Sequence, residues 1–166
     1  MINLGRFSEC VCKAKGNPHK LCDGELSFEE KGKKVKLTPK PGELAKALVV
    51  DGCICTDKQP RCDGLFIVKQ KNKQCIIMVE LKGTRLQDAF DQLTYMKYQR
   101  PEYVELLELL KEDSPVSLSE LAFIVSNYIP TKREMHDLER SNQIRVNNIL
   151  HSEATKPIPD LRNYFK

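Results

Sequence analysis

Between residues 45 and 80, short apolar runs alternate with polar breaks. Ala47-Leu48-Val49-Val50 leads into Cys53-Ile54-Cys55, after which Asp57-Lys58-Gln59-Pro60 reads as a turn. Leu65-Phe66-Ile67-Val68 follows, Lys71-Asn72-Lys73 interrupts, and Cys75-Ile76-Ile77-Met78-Val79 resumes the pattern. Run lengths and β-rich composition predict strands arranged as two consecutive hairpins or a three-stranded meander. The second and third runs are apolar at successive positions, so they predict a sheet covered on both faces. Helices are expected to supply that cover.

The first helix begins at Thr84-Arg85-Leu86-Gln87, which has capping-box form, and Leu86, Ala89, Phe90, Leu93 and Met96 follow at helical spacing. Pro101 ends it. Tyr103 to Leu110 is a second amphipathic segment, closed by Asp113-Ser114-Pro115, and Leu121 to Val125 reads as a fourth strand, stopped near Pro130. Thr131 to about Ile144 reads as a polar helix, Val146 to His151 as a short edge strand, and the tail with Pro157 and Pro159 as extended chain. This order predicts an α/β fold with a central mixed β-sheet flanked by helices. Residues 1–44, broken by Gly16-Asn17-Pro18, Gly32 and Pro39-Lys40-Pro41-Gly42, predict an irregular extension of loops and short strands, leaving 45–166 as the core. Its basic run, Lys31-Gly32-Lys33-Lys34-Val35-Lys36, reads as solvated surface.

The 166 residues suit one domain, and 40% apolar with 30% charged residues excludes a disordered chain. No stretch approaches the roughly 20 apolar residues of a membrane span, so no membrane partner is expected and the cytoplasm is the expected compartment. A net charge of +4 is compatible with a polyanionic partner but is far from the dense basic stripe of a dedicated nucleic-acid binder. The seven cysteines are an odd number, read here as thiols or metal ligands of a reducing compartment. Cys10, Cys12, His19 and Cys22 supply four candidate ligands for a structural Zn²⁺ site within thirteen residues. Cys53, Cys55, Cys62 and Cys75 read as small apolar residues in or beside strands.

Candidate chemistry lies at Asp63, Glu80 and Lys82, charges set among apolar strand residues where they need partners or a metal. Positions 80 and 82 are two apart on a strand and share a face. A two-residue turn at Asn72-Lys73 puts position 63 opposite 82, and one at Lys71-Asn72 puts it opposite 80. Either brings Asp63 onto that face, with directly opposite Cβ atoms about 4.5–5.5 Å apart. Two converging carboxylates repel, and a hard cation such as Mg²⁺ relieves the repulsion through oxygen ligands, while an adjacent lysine can position water or stabilise charge at phosphorus. The structural alternative is that Asp63 closes a turn and Glu80 and Lys82 end a strand in solvent.

Cys62-Asp63-Gly64, a hairpin's length of chain, Val79-Glu80-Leu81-Lys82-Gly83 and a following amphipathic helix resemble the core of the PD-(D/E)xK nuclease superfamily, over roughly residues 45–100. The resemblance extends to small bacterial members through Asp51-Gly52-Cys53 and Arg61-Cys62-Asp63. It implies a restriction-endonuclease-like core, a Mg²⁺- or Mn²⁺-dependent endo- or exodeoxyribonuclease, Asp63 and Glu80 as metal ligands and Lys82 as the catalytic lysine. Two departures stand out. Cys62 replaces the proline that often precedes the aspartate, and the upstream acid of many members has no clear counterpart. Glu43 is the nearest candidate, with Glu29 and Glu30 as alternatives. Gln92 and Tyr95 resemble the glutamine and tyrosine of RecB-type members, at a spacing of three where that motif has four. The implied partner is nucleic acid, DNA above all, with a homodimer as a candidate assembly. The competing class is a nucleic-acid-binding or regulatory module that keeps the fold without turnover.

Overall fold

A computed structural model describes residues 1–81, 85–152 and 157–165. Lys82, Gly83 and Thr84 lie outside the described residues, so the catalytic-lysine assignment and the capping box fall beyond what it reports. Five strands form the main sheet: β4 (Leu44–Val49), β5 (Gly64–Lys69), β6 (Lys73–Leu81), β7 (Ser117–Ser126) and β8 (Asn148–His151). Their order across the sheet is their order in the chain. β4, β5 and β6 are antiparallel, whereas β6, β7 and β8 are parallel.

The parallel pairs require crossovers, and the helices provide them. Helices α1 (Leu86–Gln99) and α2 (Pro101–Asp113) link β6 to β7, and α3 (Lys132–Asn142) links β7 to β8. Pro101 ends α1 and opens α2 at its first position, where its missing N–H leaves no helical bond unmade. Thr131 caps α3 through a capping box with Glu134, and Gln143 closes it in the left-handed conformation. The predicted mixed α/β sheet with flanking helices is therefore present. Residues 53–55 form a tight turn instead of a strand, with Cys55 N–H donating to Val50 O at 2.9 Å.

Among the described residues, helices cover only one face. Leu65, Ile67, Ile76, Met78, Ala122 and Ile124 pack there against Phe90, Leu93, Met96 and Tyr103 of α1 and α2. The other face, with Phe66, Val68, Ile77, Val79 and Phe123, is covered by the stretch expected to be irregular. That stretch is a three-stranded antiparallel sheet, β1 (Cys22–Gly24), β2 (Ser27–Glu30) and β3 (Lys33–Lys36), whose Phe28 and Val35 point into the core. Burial of each large apolar side chain contributes about 1.5–3 kcal/mol, so this small sheet is integral to the fold. Among the described residues, no helix is long and apolar enough to cross a membrane.

The cysteine reading is corrected. Cys10 is bonded to Cys53 and Cys12 to Cys22, which removes three of the four proposed zinc ligands. Cys55, Cys62 and Cys75 remain as thiols. Residues 11 and 12 lie along β4 by backbone pairing, Val11 bridging Leu48 and Cys12 N–H donating to Ala47 O at 2.8 Å, which protects that sheet edge, and the two disulfides flank this contact. Cys12–Cys22 closes a loop that carries His19, so the histidine is held beside a disulfide and not beside metal-binding thiolates.

Candidate active site

The β5–β6 hairpin turns at Lys71-Asn72, with Gln70 N–H donating to Lys73 O at 2.8 Å, and its ladder pairs Gly64 with Val79. Of the two registers open from sequence, this one brings position 63 across from position 80. Asp63 and Glu80 are both buried, at 8% and 1% exposure. Asp63 Oδ2 accepts the Leu81 backbone N–H at 2.7 Å, so the side chain caps the end of β6. Glu80 lies in line with Ile76 and Met78, on the helix-covered face. There Gln92 of α1, with its amide oriented to satisfy both neighbours, donates to Glu80 Oε2 at 2.5 Å and to Asp88 O at 3.1 Å. Gln92 is thus a direct neighbour of a candidate carboxylate.

Glycine at position 64 controls what meets Asp63. A Cβ there would lie 2.6 Å from the Phe28 ring, a contact real side chains do not make. Its absence lets Phe28 close onto the sheet and pack against Phe66 with ring centroids 4.6 Å apart. Glu30, two residues beyond Phe28 on the same face of β2, is thereby carried into the cleft that Asp63 lines, where the two carboxyls interact. Gly64→Ala should cost about 1–3 kcal/mol of stability through overpacking. Urea denaturation measures this, and an unchanged midpoint would show that the Phe28 contact does not set the spacing.

Burial, then the Asp63 charge and hydrogen bonding with it, raise the Glu30 pKa from 4.5 to about 7. Between those values the folded protein holds a proton that the unfolded chain has released. Stability without divalent cation should therefore fall as pH rises from about 4.5 to 7 and level off above. Glu30→Gln should flatten that slope in thermal denaturation at a series of pH values, and an unaltered slope would assign it to other groups. Cys62, beside Asp63, is fully buried, and burial followed by the Glu80 and Asp63 charges raises its thiol pKa, so it remains an inert thiol.

Glu43, the sequence candidate for the upstream acid, is elsewhere. It precedes β4, whose far end adjoins Asp63, a separation of roughly 20 Å along the strand. Its carboxylate binds Arg162 and Gln70 and accepts the Lys40 N–H at 2.9 Å. Glu30 occupies the place beside Asp63 that Glu43 was expected to take. The signal for it is the alternation of Phe28 and Glu30 ahead of the Lys31-Gly32 turn, both turn residues having positive φ, as a two-residue hairpin demands.

Asp63 and Glu30 line a cleft of about 690 Å³. One wall is the 13–21 loop, bearing His19 and Lys20; Lys31 and Asp51 stand on other sides. Asp51 also borders a depression of about 320 Å³ lined by Lys58, Arg61 and Gln92. Asp51, which lines both, is ion-paired to Arg61 at 2.8 Å. The loop from 51 to 63 is fixed from behind by Arg100, only 3% exposed, which grips Asp57 (2.8 Å) and the carbonyls of Gln59 and Pro60. Asp57 is held below the usual carboxylate range by that hydrogen bond.

Among the described residues, no group of three or more His, Cys, Asp or Glu side chains is arranged to hold a metal ion. The two-carboxylate set that the structure joins is Asp63 with Glu30; Glu80 engages Gln92. In comparisons with known proteins, the chain matches no family model, no curated protein and no solved structure.

Proposed function

We propose that this chain is a divalent-cation-dependent nuclease that hydrolyses phosphodiester bonds in DNA at the Asp63 cleft. The observation that carries the reading is the recessed Asp63–Glu30 carboxyl pair on the floor of a cleft whose rim bears His19, Lys20 and Lys31. Two carboxyls forced together hold a proton where a cation can replace it, and hard oxygen donors suit Mg²⁺ or Mn²⁺. The resemblance of Asp63, Glu80 and Lys82 to the PD-(D/E)xK pattern supports the same reading, as does the antiparallel-then-parallel strand order.

A cation held by Asp63, with Glu30 or Glu80 contributing, would polarise the phosphoryl oxygen and lower the pKa of bound water. Asp63 keeps a fixed orientation through the Leu81 amide, and Gln92 orients Glu80. Lys20 and Lys31 offer phosphate contacts at the rim, while Asp23, Glu29 and Asp51 in the same lining make a bound cation necessary before a phosphate backbone can approach. Lys82, known here from sequence alone, would stabilise the charge that develops at phosphorus. The test is cleavage of labelled DNA and RNA with Mg²⁺, with Mn²⁺ and with EDTA, comparing the natural chain with Asp63→Asn. Metal-dependent cleavage lost in the variant supports the proposal. Binding without any cleavage would support the competing module.

A further inference from the structure

We infer that the cleft accepts one strand of nucleic acid, at a single-stranded stretch or a frayed end, and that intact duplex is a poor substrate; this rests on the nuclease reading above. The acids are not on a surface that a double helix can lie against. Asp63 is 8% exposed, and the cleft above it has the volume of a site for a drug-sized molecule, room for a nucleotide or two.

Its walls are also fixed. The 13–21 loop is closed at its ends by Cys12–Cys22. Inside, Asn17 Oδ1 accepts the Lys13 N–H and Asn17 Nδ2 donates to Lys13 O (2.5 and 2.6 Å), and Leu21 O accepts the Glu29 N–H of β2 at 2.9 Å. The disulfide and the internal bonds keep the loop compact, and the Leu21–Glu29 bond ties its base to β2. The opposite side is held by Cys10–Cys53 and by the Arg61 and Arg100 clamps on residues 57–60. A strand threaded between these walls meets the exposed Lys20 and Lys31 in a lining that also carries Asp23, Glu29 and Asp51, and the exposed Lys58 in the neighbouring depression, so only the lysine positions favour phosphate and the acids between them need a cation. That arrangement places phosphates at both flanks of the cleft without requiring a complementary strand.

Duplex must first unpair to reach the acids, at a cost of a few kcal/mol. The experiment compares initial rates on a single-stranded DNA oligonucleotide, the blunt duplex of the same sequence, and that duplex carrying an unpaired overhang, with Mg²⁺ and the natural oxidised chain. The single strand and the overhang should be cut about 10–100 times faster than the blunt duplex. Cys12→Ser with Cys22→Ser, which frees the wall, should narrow that ratio. Blunt duplex cut as fast as single strand, with cleavage lost in Asp63→Asn, would overturn this inference and leave the nuclease reading standing. Absence of Asp63-dependent cleavage on every substrate would remove that reading, and this inference with it. The comparison on the natural chain decides the matter even where the double variant fails to fold.

Discussion

Asp63→Asn should reduce DNA cleavage by a factor of about 10²–10⁴ while the protein keeps its fold. Asparagine has the same shape, and its Oδ1 can still accept the Leu81 N–H that Asp63 holds at 2.7 Å, so the end of β6 remains capped. Its Nδ2 can donate to Glu30, replacing the carboxyl–carboxyl interaction with an ordinary hydrogen bond. What disappears is the negative charge that would attract the cation. The same substitution removes the two Asp63 contributions that raise the Glu30 pKa, so the pH slope of stability should shrink as well. Asp63→Ala lacks the acceptor and should lose stability in addition, by about 1–3 kcal/mol for the stranded amide. Steady-state cleavage and circular dichroism on the two variants separate these effects. Wild-type turnover by Asp63→Asn would exclude Asp63 from the chemistry.

The central sheet was legible because its strands carry their own signal. Runs apolar at every position, such as Leu65-Phe66-Ile67-Val68, have to be buried on both faces, and they are. The α1 core face was equally readable from Leu86, Ala89, Phe90, Leu93 and Met96. The identity of the second cover was not. The strands β1 to β3 have three or four residues each, with mostly charged faces, and only Phe28 and Val35 mark their inner side. Sequence therefore offered breakers there and no sheet.

The site divides along the same line. Asp63 and Glu80 stood out as candidates because charge is placed within apolar strands, and hairpin geometry narrowed their register to two choices. Glu30 reaches Asp63 through Phe28 seated over Gly64; the alternation of Phe28 and Glu30 marks which face they share, but the partner lies more than thirty residues away and is not encoded locally. Proximity along the chain favoured Glu43 instead. Because β4 and β5 are antiparallel, however, the start of β4 lies at the end of the sheet away from Asp63. The cysteines were read through an expected reducing compartment, and pairing cannot be deduced from spacing. Cys10–Cys53 joins residues 43 apart. Arg100, placed at a helix boundary in the sequence, becomes the anchor of the 57–60 turn only once the helices fold over the sheet.

Lys82→Ala separates a nuclease from a module that merely holds a cation and a nucleic acid. The substitution deletes a positive charge and no oxygen ligand, so Mg²⁺ affinity should stay the same or rise slightly as local positive charge falls. Turnover should drop by a factor of about 10²–10⁴, equivalent to roughly 3–5 kcal/mol of barrier, as expected for a positioned base or charge stabiliser. Glu80→Gln provides the contrast. Glu80 is buried and paired with Gln92, so the neutral side chain can keep that hydrogen bond while losing the charge, and cation binding should weaken along with cleavage. Titration calorimetry with Mg²⁺ and single-turnover cleavage on the same samples read the two quantities independently. Lys82→Ala that cuts at the natural rate across a range of pH would leave Lys82 without a chemical role, and the chemistry would then have to reside in Asp63, Glu30 and Glu80 alone.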